Sequence, residues 1–302
     1  MSFAQFMDLA LYDPQVGYYR RKRDRVGYGA GTDFFTASTS GPIFGELVCA
    51  ACVQLLDGHE PGDFTFVEIG AEPAQGVLTG VAHPFGAART VRIGEPMALT
   101  GKCVVFANEL FDAQPFHRFV FRGDVWRELG VALRGGTLVE VELPASTEAP
   151  LPAAAPEGYV IDTPLAASGL AERIAAQPWI GLVVVSDYGK SWRELTEAMP
   201  SGTARAYYRH SQSNDLLARP GEQDLTCHVC WDWLVDVLAR HGFKAPEVES
   251  QEAFFVRHAA RFLEAATTAE ASRFSLKKLS LFQLLHPAHL GQKFQVLHAW
   301  RG

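Results

Sequence analysis

Short apolar runs without alternation punctuate this chain at residues 64–69 (FTFVEI), 104–107 (VVFA) and 181–186 (GLVVVS). Each is too short for a helix, and the last two predict strands buried on both faces. Residues 89–93, 202–210 and 294–300 predict further strands. From residue 116 to 143 the period changes: FHRFVF, VWRELGVAL and TLVEVEL alternate and are separated by RGD and RGG, the pattern of a small antiparallel meander. Apolar spacing predicts helices over 44–56, 170–177, 231–241, 253–266 and 269–285. Ser2 and Gln5 have capping-box spacing for a first helix running to about Leu11. Strands followed by helices define an α/β chain, expected to form a single domain over residues 1–302.

The ends of the apolar runs carry the chemistry. After Ala107 come Asn108, Glu109 and Asp112, interleaved with Leu110 and Phe111 and closed by Pro115. In open α/β sheets ligands bind beyond the carboxyl ends of the strands, so these polar groups are offered to a ligand. A capped turn would use the same residues. The run 181–186 also ends in polar residues, Asp187 and Tyr188, which places two such ends at one edge of a parallel sheet.

The stretch EIGAEPAQGVL puts Glu68 and Gly70 at the end of the first strand, with Gly76 further on, where glycine lets backbone approach a nucleotide-type ligand. Glu95, at the end of the second strand, is a candidate for ribose hydroxyls, and a surface turn would also contain it. Only about ten residues separate Gly76 from the turn at Pro84, so a crossover helix there is short or missing. Residues 12–46 are dense in glycine and aromatics, as in a lid over a site or a collar over the core. Residues 145–158 form a proline-rich linker or surface loop.

Composition narrows the classes. With 302 residues, 48% hydrophobic and 20% charged, the chain is an ordinary globular protein, and a net charge of −7 argues against a global nucleic-acid field. The basic run at 20–25 reads as a solvated loop. No membrane span or secretion signal is seen, and five cysteines, an odd number, fit a reducing compartment; the expected location is cytoplasmic. Cys49 and Cys52 with Cys227 and Cys230 form two CxxC pairs that zinc could bridge, although the first pair lies on a buried helical face. His210, Asp224 and His228 have no compact ligand spacing and read as hydrogen-bonded loop staples.

Taken together, LALYDPQVGYY, GTDFFTAS, FGE, FANELFDAQPFHRF, SDYG, RAYYRH, PGEQDLTCHV and HLGQKFQVL are similar, in this order, to the MidA family. That family comprises class I S-adenosylmethionine-dependent methyltransferases related to the mitochondrial complex I assembly enzyme. The resemblance implies a Rossmann-like class I methyltransferase sheet with an N-terminal lid segment and an added antiparallel meander. It implies S-adenosyl-L-methionine as cofactor and a protein substrate methylated on an arginine side-chain nitrogen. Neither nucleic acid nor a membrane is implied as partner, and a homodimer is allowed.

Position by position, Thr36, Phe44 and Gly45 match the lid segment; Glu68, Gly70 and Gly76 match the first-strand loop; Asn108, Glu109 and Asp112 match the acidic motif. Asn108 is then cofactor-binding together with Thr36, Glu68, Gly70, Gly76 and Glu95, while Glu109 and Asp112 are catalytic; no metal is implied. Asp187, Tyr188, His210, Asp224, Thr226 and His228 match later loop positions. The chain departs from the family pattern in lacking the middle glycine of the loop, in residues around Pro73, and in Ser38-Thr39-Ser40 of the lid. The rival reading is a non-catalytic binding or assembly module with a degenerate cofactor loop.

Overall fold

The protein is described by a computed structural model covering residues 1–21, 25, 27, 32–33, 40–72, 76–144, 149–269 and 276–302. Thr36, Pro73, half of the basic run and the heart of the expected lid lie outside the described residues. The helices are α1 (Phe3–Tyr12), α2 (Pro42–Leu55), α3 (Leu165–Ala175), α4 (Trp192–Glu197), α5 (Trp231–Arg240), α6 (Gln251–His258), α7 (Ala260–Ala269) and α8 (Leu276–Leu285). The strands are β1 (Thr65–Ile69), β2 (Ala87–Val91), β3 (Gly101–Asn108), β4 (His117–Arg122), β5 (Val125–Arg134), β6 (Thr137–Glu142), β7 (Val160–Thr163) and β8 (Trp179–Asp187). They continue with β9 (Gly189–Lys190), β10 (Arg205–Tyr208), β11 (Ser211–Ser213), β12 (Asp224–Thr226), β13 (Val229–Cys230), β14 (Lys244–Ser250) and β15 (Gln295–Arg301).

The chain forms two compact units. One comprises residues 36–110, 172–188 and 235–302 and holds a six-stranded sheet in the order β14-β15-β8-β3-β1-β2. Strands β2, β1, β3 and β8 are parallel, while β15 runs antiparallel to both β8 and β14. The residues of β3 and β8 from 103 to 107 and from 181 to 187 are buried, which is why their sequences show no alternation. On one face Phe66, Val104, Phe106, Leu182, Val184 and Val296 pack against α2, α6 and α8. Burying this apolar surface supplies most of the unit's stabilisation, at roughly 25 cal/mol per Å².

The other unit comprises residues 1–35, 111–171 and 189–234. It contains the expected meander, extended by β7 into the antiparallel sheet β6-β5-β4-β7, and a three-stranded sheet β11-β10-β12. Helix α1 begins with the capping box foreseen from Ser2 and Gln5, and buries Phe3, Phe6, Met7, Ala10 and Leu11 against Phe116, Val131 and Leu225.

The second strand spans Ala87–Val91 instead of residues 89–93, so Glu95 stands four positions beyond its end. The helix expected over 253–266 is two, α6 and α7, broken at Ala259, whose backbone leaves the helical region at φ −119°, ψ 22°. Among the described residues no helix joins β1 to β2, and residues 77–80 turn instead. All five cysteines are free and buried, and none joins a cluster of metal-ligating groups among the described residues. His210 meets Thr32 Oγ1 at 3.0 Å and Asp224 accepts from Tyr19 at 3.0 Å, whereas His228 bonds through its backbone N–H, to Thr203 Oγ1 at 3.1 Å, and its buried Nδ1 makes no hydrogen bond. Among the described residues no helix is long and apolar enough to cross a membrane.

Candidate cofactor and methyl-transfer site

In the six-stranded sheet the strand order reverses between β1 and β3, the switch point where α/β sheets bind ligands. The residues leaving those two strands are Gly70 on one side and Asn108, Glu109 and Leu110 on the other. Asn108 pairs in register with Ser186 of β8, so their side chains share a face. The Asn108 amide Nδ2 donates to Glu109 Oε1 at 2.9 Å. Its carbonyl Oδ1 is buried without a hydrogen-bond partner, as is Ser186 Oγ. Each unmet buried polar atom costs about 1–3 kcal/mol, so Asn108 Oδ1, at the switch point, and Ser186 Oγ, one strand over, are candidates for a partner from outside the chain. Sequence reasoning found Asn108 and missed Ser186, which only the register reveals.

Glu109 takes φ +50°, a left-handed conformation unusual for a side chain of this size, while its N–H donates to Ser186 O at 3.0 Å. Backbone strain of this kind clusters at functional sites. Asp112, three residues further along the chain, is buried at 5% exposure, and its carbonyl accepts from Cys227 N at 2.9 Å. Within its own unit it helps create an acidic environment: burial, then Asp224 and Asp112, push the Tyr12 phenol well above its ordinary value. Tyr12 therefore stays a hydrogen-bond donor, directed at Ala113 O at 2.8 Å.

Glu68, at the end of β1, accepts from Val77 N at 2.6 Å. Burial pushes its carboxyl up to about 7, against the opposing effects of that hydrogen bond and of Arg92. Gly70 sits at φ +84°, and a Cβ there would come within 2.8 Å of Leu110 Cδ1. A Cβ on Gly76 would meet Thr90 Cγ2 at 2.7 Å and Glu68 Oε2 at 2.8 Å. Gly76 and Val77 thus lie against the Glu68 carboxylate, and Gly76 N donates to Thr79 Oγ1 at 2.9 Å. Helix α2 lies against the same loop: a Cβ on Gly45 would fall 2.1 Å from Val77 O. The structure therefore gathers Glu68, Gly70 and Gly76 around one loop and joins Asn108 to Glu109. Glu95 is exposed and turns back on itself, its carboxylate accepting from Arg92 N at 2.8 Å. No hydrogen bond ties it to Glu68 or Asn108.

S-adenosylmethionine carries an ammonium, ribose hydroxyls and a sulfonium, and a buried amide oxygen beside a buried hydroxyl fits such a group. The fit is clearest at Asn108 and Ser186. Fold and site together define a class I methyltransferase. A family described as "Putative S-adenosyl-L-methionine-dependent methyltransferase" matches residues 89–248, and the chain belongs to it. Its cofactor is S-adenosyl-L-methionine.

The chain is similar to a protein from Danio rerio named protein arginine methyltransferase NDUFAF7, mitochondrial, at 25% identity over 78% of this chain and 67% of that protein. A homolog of that name from Caenorhabditis elegans is 26% identical over the same shares. Among solved structures, a superfamily member from Burkholderia thailandensis bound to S-adenosyl-homocysteine superposes with a TM-score of 0.87 at 25% identity, covering 100% of this chain and 88% of that one. These findings correct the cytoplasmic expectation, since the curated relatives are named mitochondrial. Free buried cysteines imply only a reducing compartment, which the cytosol does not monopolise.

Proposed function

We propose that the protein transfers a methyl group to an arginine side-chain nitrogen of a protein substrate. The observation that carries this reading is the Asn108–Glu109 pair, a carboxylate fixed by a hydrogen bond next to an unmet amide oxygen at the strand switch point. The names of the relatives supply the acceptor class. When bound, the cofactor supplies an electrophilic methyl on a sulfonium. The chain's own residues position the reactants.

Asn108 Oδ1 and the backbone around Gly70 and Gly76 hold the aminoacyl end. Glu68 braces that loop, and Glu95 with Thr36 is assigned to the remainder of the cofactor. Guanidinium stays protonated at ordinary pH, so carboxylates must orient it and take up charge as the bond forms. Glu109 has this role, and Asp112 shares it by its place in the motif. Neither task needs a covalent intermediate, because the reaction is an in-line displacement governed by positioning.

The test is to incubate the purified chain with methyl-labelled S-adenosylmethionine and a mitochondrial protein extract, then hydrolyse the labelled proteins. Label recovered as methylarginine is expected. Label confined to another residue type would refute the arginine acceptor.

A further inference from the structure

Away from the strand switch point, towards the far edge of the same sheet, three ligand-type side chains converge, each with one buried polar atom that makes no hydrogen bond. Glu249 comes from β14, His258 from the end of α6 and His298 from β15. Their candidate ligand atoms all lie within 4.8 Å of one another. His258 Nε2 stands 3.6 Å and His298 Nε2 3.9 Å from Glu249 Oε1. Both Nε2 atoms and Glu249 Oε2 are buried and make no hydrogen bond. Glu249 and His298 side chains are 7% and 9% exposed, and that of His258 12%.

Three unmet polar atoms pointing at one spot are hard to reconcile with a purely packed interior, because each carries a desolvation penalty. Arg257 engages Glu249 Oε1 from the exposed side and so balances part of the carboxylate charge, but it leaves Oε2 and both imidazoles unserved. Phe254 packs against both imidazoles, at 5.1 and 5.6 Å between ring centres, and restricts their movement.

We propose that Glu249, His258 and His298 bind one divalent transition-metal ion of the zinc class. Two imidazoles and a carboxylate suit zinc, nickel or copper, whereas calcium and magnesium prefer oxygen ligands throughout. A tetrahedral ion with bonds of roughly 2.0–2.2 Å holds its ligand atoms about 3.4 Å apart, so only a small contraction of the present spacing is required. The fourth position is left to water. Its ligands come from the edge strand, the strand beside it and the helix packed on them, so the ion clasps β14 to α6 and has no part in binding the methyl donor. No sequence spacing announces it, since 9 and 40 residues separate successive ligands.

The test uses the full chain stripped with a chelator and then titrated with zinc sulfate by calorimetry, and separately with cobalt(II) followed by visible absorption. One ion per chain, a tetrahedral cobalt spectrum and a rise in melting temperature with zinc are expected. H258A and E249Q should each weaken zinc binding at least tenfold, with unchanged circular dichroism, while H289A, which removes an exposed histidine, should not. Should a ligand variant fail to fold, the wild-type cobalt spectrum still decides. Absence of that spectrum, or zinc affinity unaffected in both ligand variants, would overturn the proposal.

Discussion

Asn108 donates its amide hydrogen to Glu109 at 2.9 Å and thereby turns its own carbonyl oxygen into a buried site with no partner. One hydrogen bond thus fixes two functions, since it orients the carboxylate and aims the amide oxygen. Replacing Asn108 by alanine removes both. N108A should weaken S-adenosylhomocysteine binding at least tenfold by calorimetry while the fold, followed by circular dichroism, is kept. Unchanged affinity would remove Asn108 from the cofactor site.

Asp112 is expected to act on the acceptor and not on the cofactor. D112N should lower kcat by about 100-fold, the scale of losing one charged group that stabilises developing charge. Affinity for S-adenosylhomocysteine should stay within threefold of wild type. A parallel loss of both would mean that Asp112 only supports the fold.

The left-handed backbone of Glu109 gives a prediction about strain. E109G and E109A both lose the carboxylate, so both should be inactive. Glycine adopts φ +50° without penalty, whereas alanine does not. E109G should be the more stable of the two by about 1 kcal/mol in urea denaturation. Equal stabilities would mean that the loop relaxes.

Gly70 provides a related case. An alanine there would meet both the positive φ and the Leu110 side chain at 2.8 Å. G70A should lose about 1–3 kcal/mol of stability. The double variant G70A/L110A should remove the clash but keep the backbone strain, so the coupling between the two positions measures the contact. Simple additivity in a double-mutant cycle would show that Leu110 moves aside freely.

Glu68 should make stability depend on pH. Its carboxyl titrates near 4.5 in the unfolded chain and at about 7 in the folded one. Between these values the folded protein holds a proton that the unfolded chain has lost, so stability falls as pH rises through the window. The penalty is absent below pH 4.5 and complete above 7, where it amounts to about 3 kcal/mol. E68Q should be more stable than wild type at pH 8 and no more stable at pH 4. A pH-independent difference between the two proteins would refute the assignment.

Much of this was legible because burial on both faces leaves an unbroken apolar run, as in β3 and β8. The edge strand β14 reads KAPEVES; it is mostly exposed, contains Pro246 and shows no such run, so it went unseen. The break at Ala259 carries neither glycine nor proline and left no mark. At the site, Asn108 and Glu109 stood out as polar groups ending a buried strand, while Ser186 looked like the last residue of another. Its role depends on register with Asn108, which is set by pairing between segments 78 residues apart. Glu95 shows a shifted boundary: the strand ends at Val91, so this carboxylate stands in an exposed turn beyond it, open to a ligand on its solvent side.

The antiparallel β15 lies between β8 and β14, although it is the last of the three to be synthesised. During translation β14 therefore emerges with no neighbour to accept its backbone hydrogen bonds, and β8 presents an open edge. A nascent chain released before residue 301 would expose both to other chains, so its dependence on chaperones should concentrate in that interval.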